Sequence, residues 1–150
     1  MEKHPDGDMD RKVGVAKRFA AVFLDGIIVG IPLAVLFSVV MGATMSAGGP
    51  RAGFAAAGTL YLLAPVIGFG YFIVMEAVWG YTLGKKILGV VVKNDDGSDI
   101  GWAESLIRNI LRIVDTLPTL YLIGAIVIWI TDDKQRIGDL AASTVVVEQA

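Results

Sequence analysis

The sequence predicts an all-α integral membrane protein. It has two transmembrane helices, then a kinked third hydrophobic segment preceded by an amphipathic helix, with short Val-rich extended segments at the cytoplasmic interface. Three observations lead there. The chain of 150 residues is 55% apolar. Its apolar residues come in long runs rather than the short periodic stripes of a soluble domain. Two of those runs reach the roughly 20 residues needed to cross about 30 Å of hydrocarbon.

Met1–Lys17 is polar and mixed in charge, and is expected to be disordered or interfacial. The division expected is a polar leader over 1–14 and a membrane domain over 15–147. Phe19–Gly42 is the first crossing. It is not a secretory signal, because it exceeds the about 7–15 residues of such a core, contains Asp25 and is followed by no convincing cleavage sequence. Ala43–Ala57, rich in Gly, Ala and Ser and holding Pro50, reads as a connecting loop. Thr59–Trp79 is the second crossing, interrupted by Pro65 and Gly68. Such breakers are tolerated where neighbouring groups satisfy the freed carbonyls.

Gly80–Gly101 lies at or outside the interface. Val90–Lys93 before Asp95-Asp96-Gly97 reads as a short strand entering a tight turn. Glu104–Asp115 is a two-faced helix. Leu106, Ile107, Ile110, Leu111 and Val114 form one side; Ser105, Arg108, Asn109, Arg112 and Asp115 form the other. Such a helix either lies in the interface or turns its charged face toward the protein. Pro118 bends the chain, and Leu120–Ile130 is too short to cross alone. With the helix before it, this segment makes one kinked crossing or a re-entrant hairpin. The tail ends in a Val145–Val147 run, a second short strand able to pair with the first if both lie on one side.

Orientation follows from Lys and Arg in the loops. Arg11, Lys12, Lys17 and Arg18 precede the first crossing, only Arg51 lies in the first connection, and Lys85, Lys86 and Lys93 follow the second. The N-terminus and the Lys85 loop are expected to be cytoplasmic in a multi-pass protein of the cell membrane. Lys134 and Arg136 favour the same side for the tail, whereas a single third crossing would place them opposite.

The chain has no cysteine and one histidine, His4. Disulfides, thiolate chemistry, a Ser-His-Asp triad and an HExxH zinc site are thereby excluded, and no cofactor is implied. The net charge of −2 gives no reason to expect nucleic acid.

Charge within the apolar runs is what carries chemistry. Asp25 sits about a third of the way along a membrane helix, where a charge costs about 2.5–3.5 kcal/mol on insertion scales. Arg18 lies two turns earlier on the same face and can snorkel to headgroups. A partner for Asp25 from another helix is expected, and Arg108 and Arg112 are the candidates because their forks hold a carboxylate bidentately. The competing reading makes Asp25 a polar contact that fixes helix packing. Glu76, near the end of the second crossing, reads as an interfacial carboxylate, or as a second titrating group if it faces inward. Gly26, Gly30 and Ala34 form a small-residue stripe suited to close helix approach. Gly80-x-Thr82-x-Gly84-Lys85-Lys86 is not a Walker A loop, since Trp79 stands where its first Gly belongs and Lys86 replaces the Ser/Thr. Its lysines are expected to meet anionic headgroups.

Four ordered blocks resemble the RDD family of small membrane proteins, named for one arginine and two aspartates. They are Lys17-Arg18-Phe-Ala-Ala-Val-Phe-Leu-Asp25, Gly80–Gly89, Arg108-Asn-Ile-Leu-Arg112-Ile-Val-Asp115, and Gln135-Arg136-Ile-Gly-Asp139-Leu-Ala-Ala-Ser-Thr144-Val-Val-Val. They cover about Val15 to Val147. The resemblance assigns the named residues to Arg18, Asp25 and Asp139. Ser143 stands where Gly is common in the family.

The resemblance implies transport as the leading suggestion, with exchange of a monovalent cation (Na⁺ or K⁺) for a proton proposed for some members. Arg18, Asp25, Arg108, Arg112, Asp115 and Asp139 would form the transport or buried polar centre, with Glu76, Lys85 and Thr144 secondary. A chain this small would need a homo-oligomer to form a pathway. The alternative is a non-transporting assembly or lipid-binding module with structural charges. An enzyme is not expected, because no nucleophile or metal cluster supports one.

Overall fold

The computed structural model describes residues 1–116, 126–132 and 134–150, with the side chains of 113–116 outside the described set. The expected kink at Pro118 and most of the third hydrophobic segment lie outside these residues. Of that segment, 126–130 is helical.

Helix α1 (Val15–Trp79) contains 65 residues and is broken at Gly49, which has non-helical angles (φ 71°, ψ −171°). Only glycine adopts that region readily, and Pro50 follows it. The chain reverses there. Tyr71 bonds to Asp25 across 46 residues, a separation of about 69 Å along a straight helix. The two parts, 15–48 and 50–79, are therefore antiparallel arms. The connecting loop expected over Ala43–Ala57 is helical on both sides of Gly49. Its small residues would favour a loop in water. In apolar surroundings the helix is the form that satisfies the backbone, and the Ser46 and Thr59 hydroxyls bond back to the carbonyls of Gly42 and Ala55 at 2.7 and 3.1 Å.

α1 is long and apolar enough to cross a membrane, and only 11% of its most apolar window is buried. The core helix of a soluble domain would show the opposite. Phe19, Phe23, Ile27, Ile31 and Val35 make an exposed stripe at four-residue spacing on the first arm. Tyr61, Leu62 and Val66 are equally exposed on the second.

The arms end on a small sheet. Strands β1 (Gly7–Lys12), β2 (Val90–Asn94) and β3 (Thr144–Gln149) run antiparallel in the order β1-β3-β2. Val91 faces Val147 and Val92 faces Val146. The two expected Val-rich strands thus pair. The leader, expected to be disordered or interfacial, supplies the third strand, because β3 still has an open edge that the backbone of Gly7–Lys12 satisfies. The largely helical class stands with this sheet added. Val90, Val92 and Val146 pack with Val13 and Ile100 on one face. Val91, Val145 and Val147 pack with Tyr81 on the other. Burial on both faces explains why the valines are consecutive rather than alternating.

Besides the helical 126–130, the described residues hold three shorter helices: α2 (Leu83–Ile87), α3 (Trp102–Thr116) and α4 (Ile137–Ala141). α3 is amphipathic inside out. Ser105, Arg108, Asn109 and Arg112 are buried, while Trp102, Leu106, Ile107 and Ile110 are exposed. Of the two expected arrangements, the charged face turns toward the protein. An exposed apolar face matches an apolar solvent, and the buried polar face must then find its partners inside.

Candidate functional site

Two carboxylate centres lie where the arms of α1 meet α2, α3 and α4. The first surrounds Asp25, which is 1% exposed. Its Oδ1 accepts from the Tyr71 hydroxyl at 2.7 Å and from the backbone N–H of Gly84 at 2.7 Å. Its Oδ2 accepts from the Thr82 hydroxyl. All three donors are neutral. The expected partners Arg108 and Arg112 do not make these bonds, and Arg18 does not either.

The Gly80–Lys86 segment builds this centre residue by residue. Gly80, at φ 75°, ends α1 in the left-handed conformation; glycine adopts it freely. Thr82 caps α2 by accepting from Lys85 N at 3.4 Å, while its hydroxyl donates to Asp25. Gly84 lies against the first arm: a Cβ there would overlap the carbonyl oxygen of Ala21 and stand 2.9 Å from Asp25 Cγ. Tyr71 is doubly used, since its oxygen also accepts from Leu83 N at 3.0 Å. Asp25 therefore holds α2 onto both arms.

The second centre is ionic. Asp139, at the start of α4, is 0% exposed and pairs with Arg18 through Oδ2 and with Arg108 through Oδ1. The backbone N–H of Arg136 adds a bond at 3.1 Å, with the Arg136 guanidinium 3.8 Å away. Arg18, expected to snorkel, instead turns inward. Its Nε and Nη2 donate to the carbonyls of Val13 and Lys134 at 2.9 and 2.7 Å. Arg108 bridges onward to Glu76 at 3.2 Å and donates to the Thr144 hydroxyl at 2.6 Å. Glu76, expected at an interface, is buried, and so is Lys85, expected among headgroups; they pair with each other. Lys86 is the exposed one of the two lysines. Asn109 Nδ2 reaches Glu76 at 3.3 Å, and its Oδ1 accepts from Arg112 at 3.2 Å. The Arg112 guanidinium stacks on Phe72 at 3.9 Å.

Burial disfavours the charge of Asp139, but Arg108, Arg18 and Arg136 outweigh it and hold the carboxyl well below the usual range. Burial likewise opposes the charge of Arg108, and Asp139 and Glu76 more than restore it.

Of the expected site residues, Arg18, Arg108 and Asp139 meet directly, with Glu76, Lys85 and Thr144 joined to them and Arg112 linked through Asn109. Asp25 lies in its own centre. The side chain of Asp115 is outside the described set. Sequence reasoning missed Tyr71, Thr82, Gly84 and Asn109 as partners. The signal for Thr82 was present, since a threonine opening a short helix is a cap. Nothing local marks Tyr71, which reaches Asp25 only through the reversal at Gly49.

Every carboxylate oxygen in both centres faces donors, which is not a cage for a cation. Among the described residues no group of His, Cys, Asp and Glu is arranged to hold a metal ion.

The family model described as RDD family matches residues 12–143. Comparisons with curated proteins and with solved structures give no match. The matched span includes every residue of both centres except Thr144, and on it the chain belongs to the RDD family, a group of small membrane proteins.

Proposed function

We propose that this protein is a non-transporting membrane module that organises lipid or a protein assembly, with its buried charges fixing the fold. One observation carries the reading. Asp25, the natural titrating group of a carrier, is saturated by three neutral donors that also seat α2. A transporting carboxylate must exchange its partners, and here exchange would release α2 from both arms.

The arms of α1 are read as two crossings. A sheet that joins 7–12, 90–94 and 144–149 supports one common side for the leader, the Lys85 segment and the tail. The lysine and arginine distribution favours the cytoplasm for that side. The exposed apolar faces of α1 and α3 suit a bilayer with anionic headgroups.

Transport, the leading expectation from the sequence, is kept as the second reading because Asp25 and Glu76 are carboxylates on an apolar helix. Proton-coupled flux of Na⁺ or K⁺ in vesicles containing only this protein, as a homo-oligomer, tests it. The proposal expects no flux above empty vesicles, and an Asp25→Asn variant with reduced folded yield. Wild-type flux that Asp25→Asn abolishes while the variant still folds would overturn the proposal.

A further inference from the structure

We propose that Arg108 and Arg112 form a binding site for a phosphate-class oxyanion, floored by Phe72. The two arginines stand one turn apart on the buried face of α3. Arg108 spends Nε on Glu76 and Nη1 on Asp139 and Thr144. Its Nη2 is buried and has no hydrogen-bond partner among the described residues. Leaving such a donor unmatched is destabilising, the more so for a charged group. Arg112 donates to Asn109 Oδ1 and sits over the Phe72 ring, its guanidinium carbon 3.9 Å from the centroid.

Among the described residues, what Arg108 Nη2 lacks is an acceptor. Glu76 already receives Lys85, Arg108 and Asn109. Asp139 receives Arg18, Arg108 and Arg136 N. Asp25 receives Tyr71, Thr82 and Gly84 N. The buried cations Arg18, Lys85, Arg108 and Arg112 thus outnumber the buried carboxylates Asp25, Glu76 and Asp139 among the described residues of these centres. Arg112 is 8% exposed where Arg108 is 1% exposed, so Arg112 is the less enclosed of the two. Planar guanidinium forks match the paired oxygens of a phosphate, as an ammonium does not. That chemistry is shared by free phosphate and by the phosphodiester of an anionic lipid headgroup. The lipid source would give the membrane-module reading its ligand, and only that arm rests on the reading.

The test uses the full chain in nanodiscs of phosphatidylcholine, with thermal unfolding as the readout. One arm adds inorganic phosphate against chloride at equal ionic strength. The other replaces part of the lipid with phosphatidylglycerol. A rise in unfolding temperature in either arm supports the site and identifies its source. Arg112→Lys keeps the charge and loses the fork. It should fold and bind about tenfold more weakly, the change for a loss of about 1.4 kcal/mol. If that variant does not fold, Phe72→Leu removes the floor instead and should weaken binding in the same sense. No rise in either arm, or an equal rise in the folded variant, overturns the proposal. Neither result depends on ion flux, so the failure of this site and the failure of the membrane-module reading are separable.

Discussion

Asp25 and Asp139 are both buried carboxylates within one small region, and the protein satisfies them in opposite ways. Asp25 is held by a phenol, a threonine hydroxyl and a backbone N–H. Asp139 is held by the guanidinium groups of Arg18 and Arg108 and by Arg136. The first arrangement is short-ranged and dipolar, and depends on close backbone approach at Gly84. The second links four parts of the chain, since Arg18 comes from α1, Arg108 from α3, Asp139 from α4 and Thr144 from β3. Loss of a charge should therefore be felt most at Asp139, and loss of space most around Asp25.

The largest effect is expected from Asp139→Asn. It leaves Arg18 and Arg108 buried without their shared counter-charge, and removing one member of a buried pair costs about 3–5 kcal/mol. Unfolding of the purified variant in detergent, followed by tryptophan fluorescence, should show that loss. A loss comparable to that of a surface substitution would show that the arginines find other acceptors. The same carboxylate sets an acid limit. Its folded pKa lies below the unfolded value of about 3.9. Its contribution is therefore complete above about pH 4 and is lost as pH falls through the folded pKa. Wild-type stability should show no titration of this group between about pH 5 and 8 and should fall on further acidification. Asp139→Asn should remove that part of the acid dependence.

Next in size is Gly84→Ala. The added Cβ would overlap the Ala21 carbonyl, a backbone atom that cannot turn aside. Overpacking typically costs about 1–3 kcal/mol, and the upper end is expected because α2 must lift from the first arm. Asp25 would lose the Gly84 N–H in the same movement. If Gly84→Ala is neutral, the dipolar centre is looser than its geometry, and the contrast with Asp139 weakens.

These two sites also mark what could be seen in the sequence. Membrane class, the helical arms and both Val-rich strands follow from run length and residue type, which are local properties. The set Arg18, Arg108 and Asp139 was recognisable as charges that a membrane domain must pair, although their pairing was not. Arg108 and Arg112 were expected at Asp25, where the chain instead uses Tyr71 and Thr82. That choice depends on where the Gly49 reversal sets one arm against the other, and no periodicity encodes such a register. The third strand was missed for a related reason. Gly7–Lys12 has little β preference of its own, and it becomes a strand because β3 offers an unpaired edge.

The smallest effect, opposite in sign, concerns backbone rather than charge. Ser143 follows α4, between Asp139 and Thr144, with φ at 50°. Two backbone hydrogen bonds hold it there. Its N–H bonds to the Leu140 carbonyl at 3.2 Å, and its own carbonyl accepts from Asp95 N at 3.0 Å. A side chain in the left-handed region costs roughly 1–2 kcal/mol, and glycine is the usual residue just past a helix end. Glycine gives back part of that advantage through the greater freedom of its unfolded chain. Ser143→Gly should therefore raise stability by a net of about 0.5–1 kcal/mol. Its effect should persist in the Asp139→Asn background if backbone strain and ionic pairing are independent. Coupling between the two would mean that the Asp139 ion pairs hold the turn at Ser143 in its strained form, and would tie the backbone of this centre to its charge as closely as Gly84 ties Asp25 to α2.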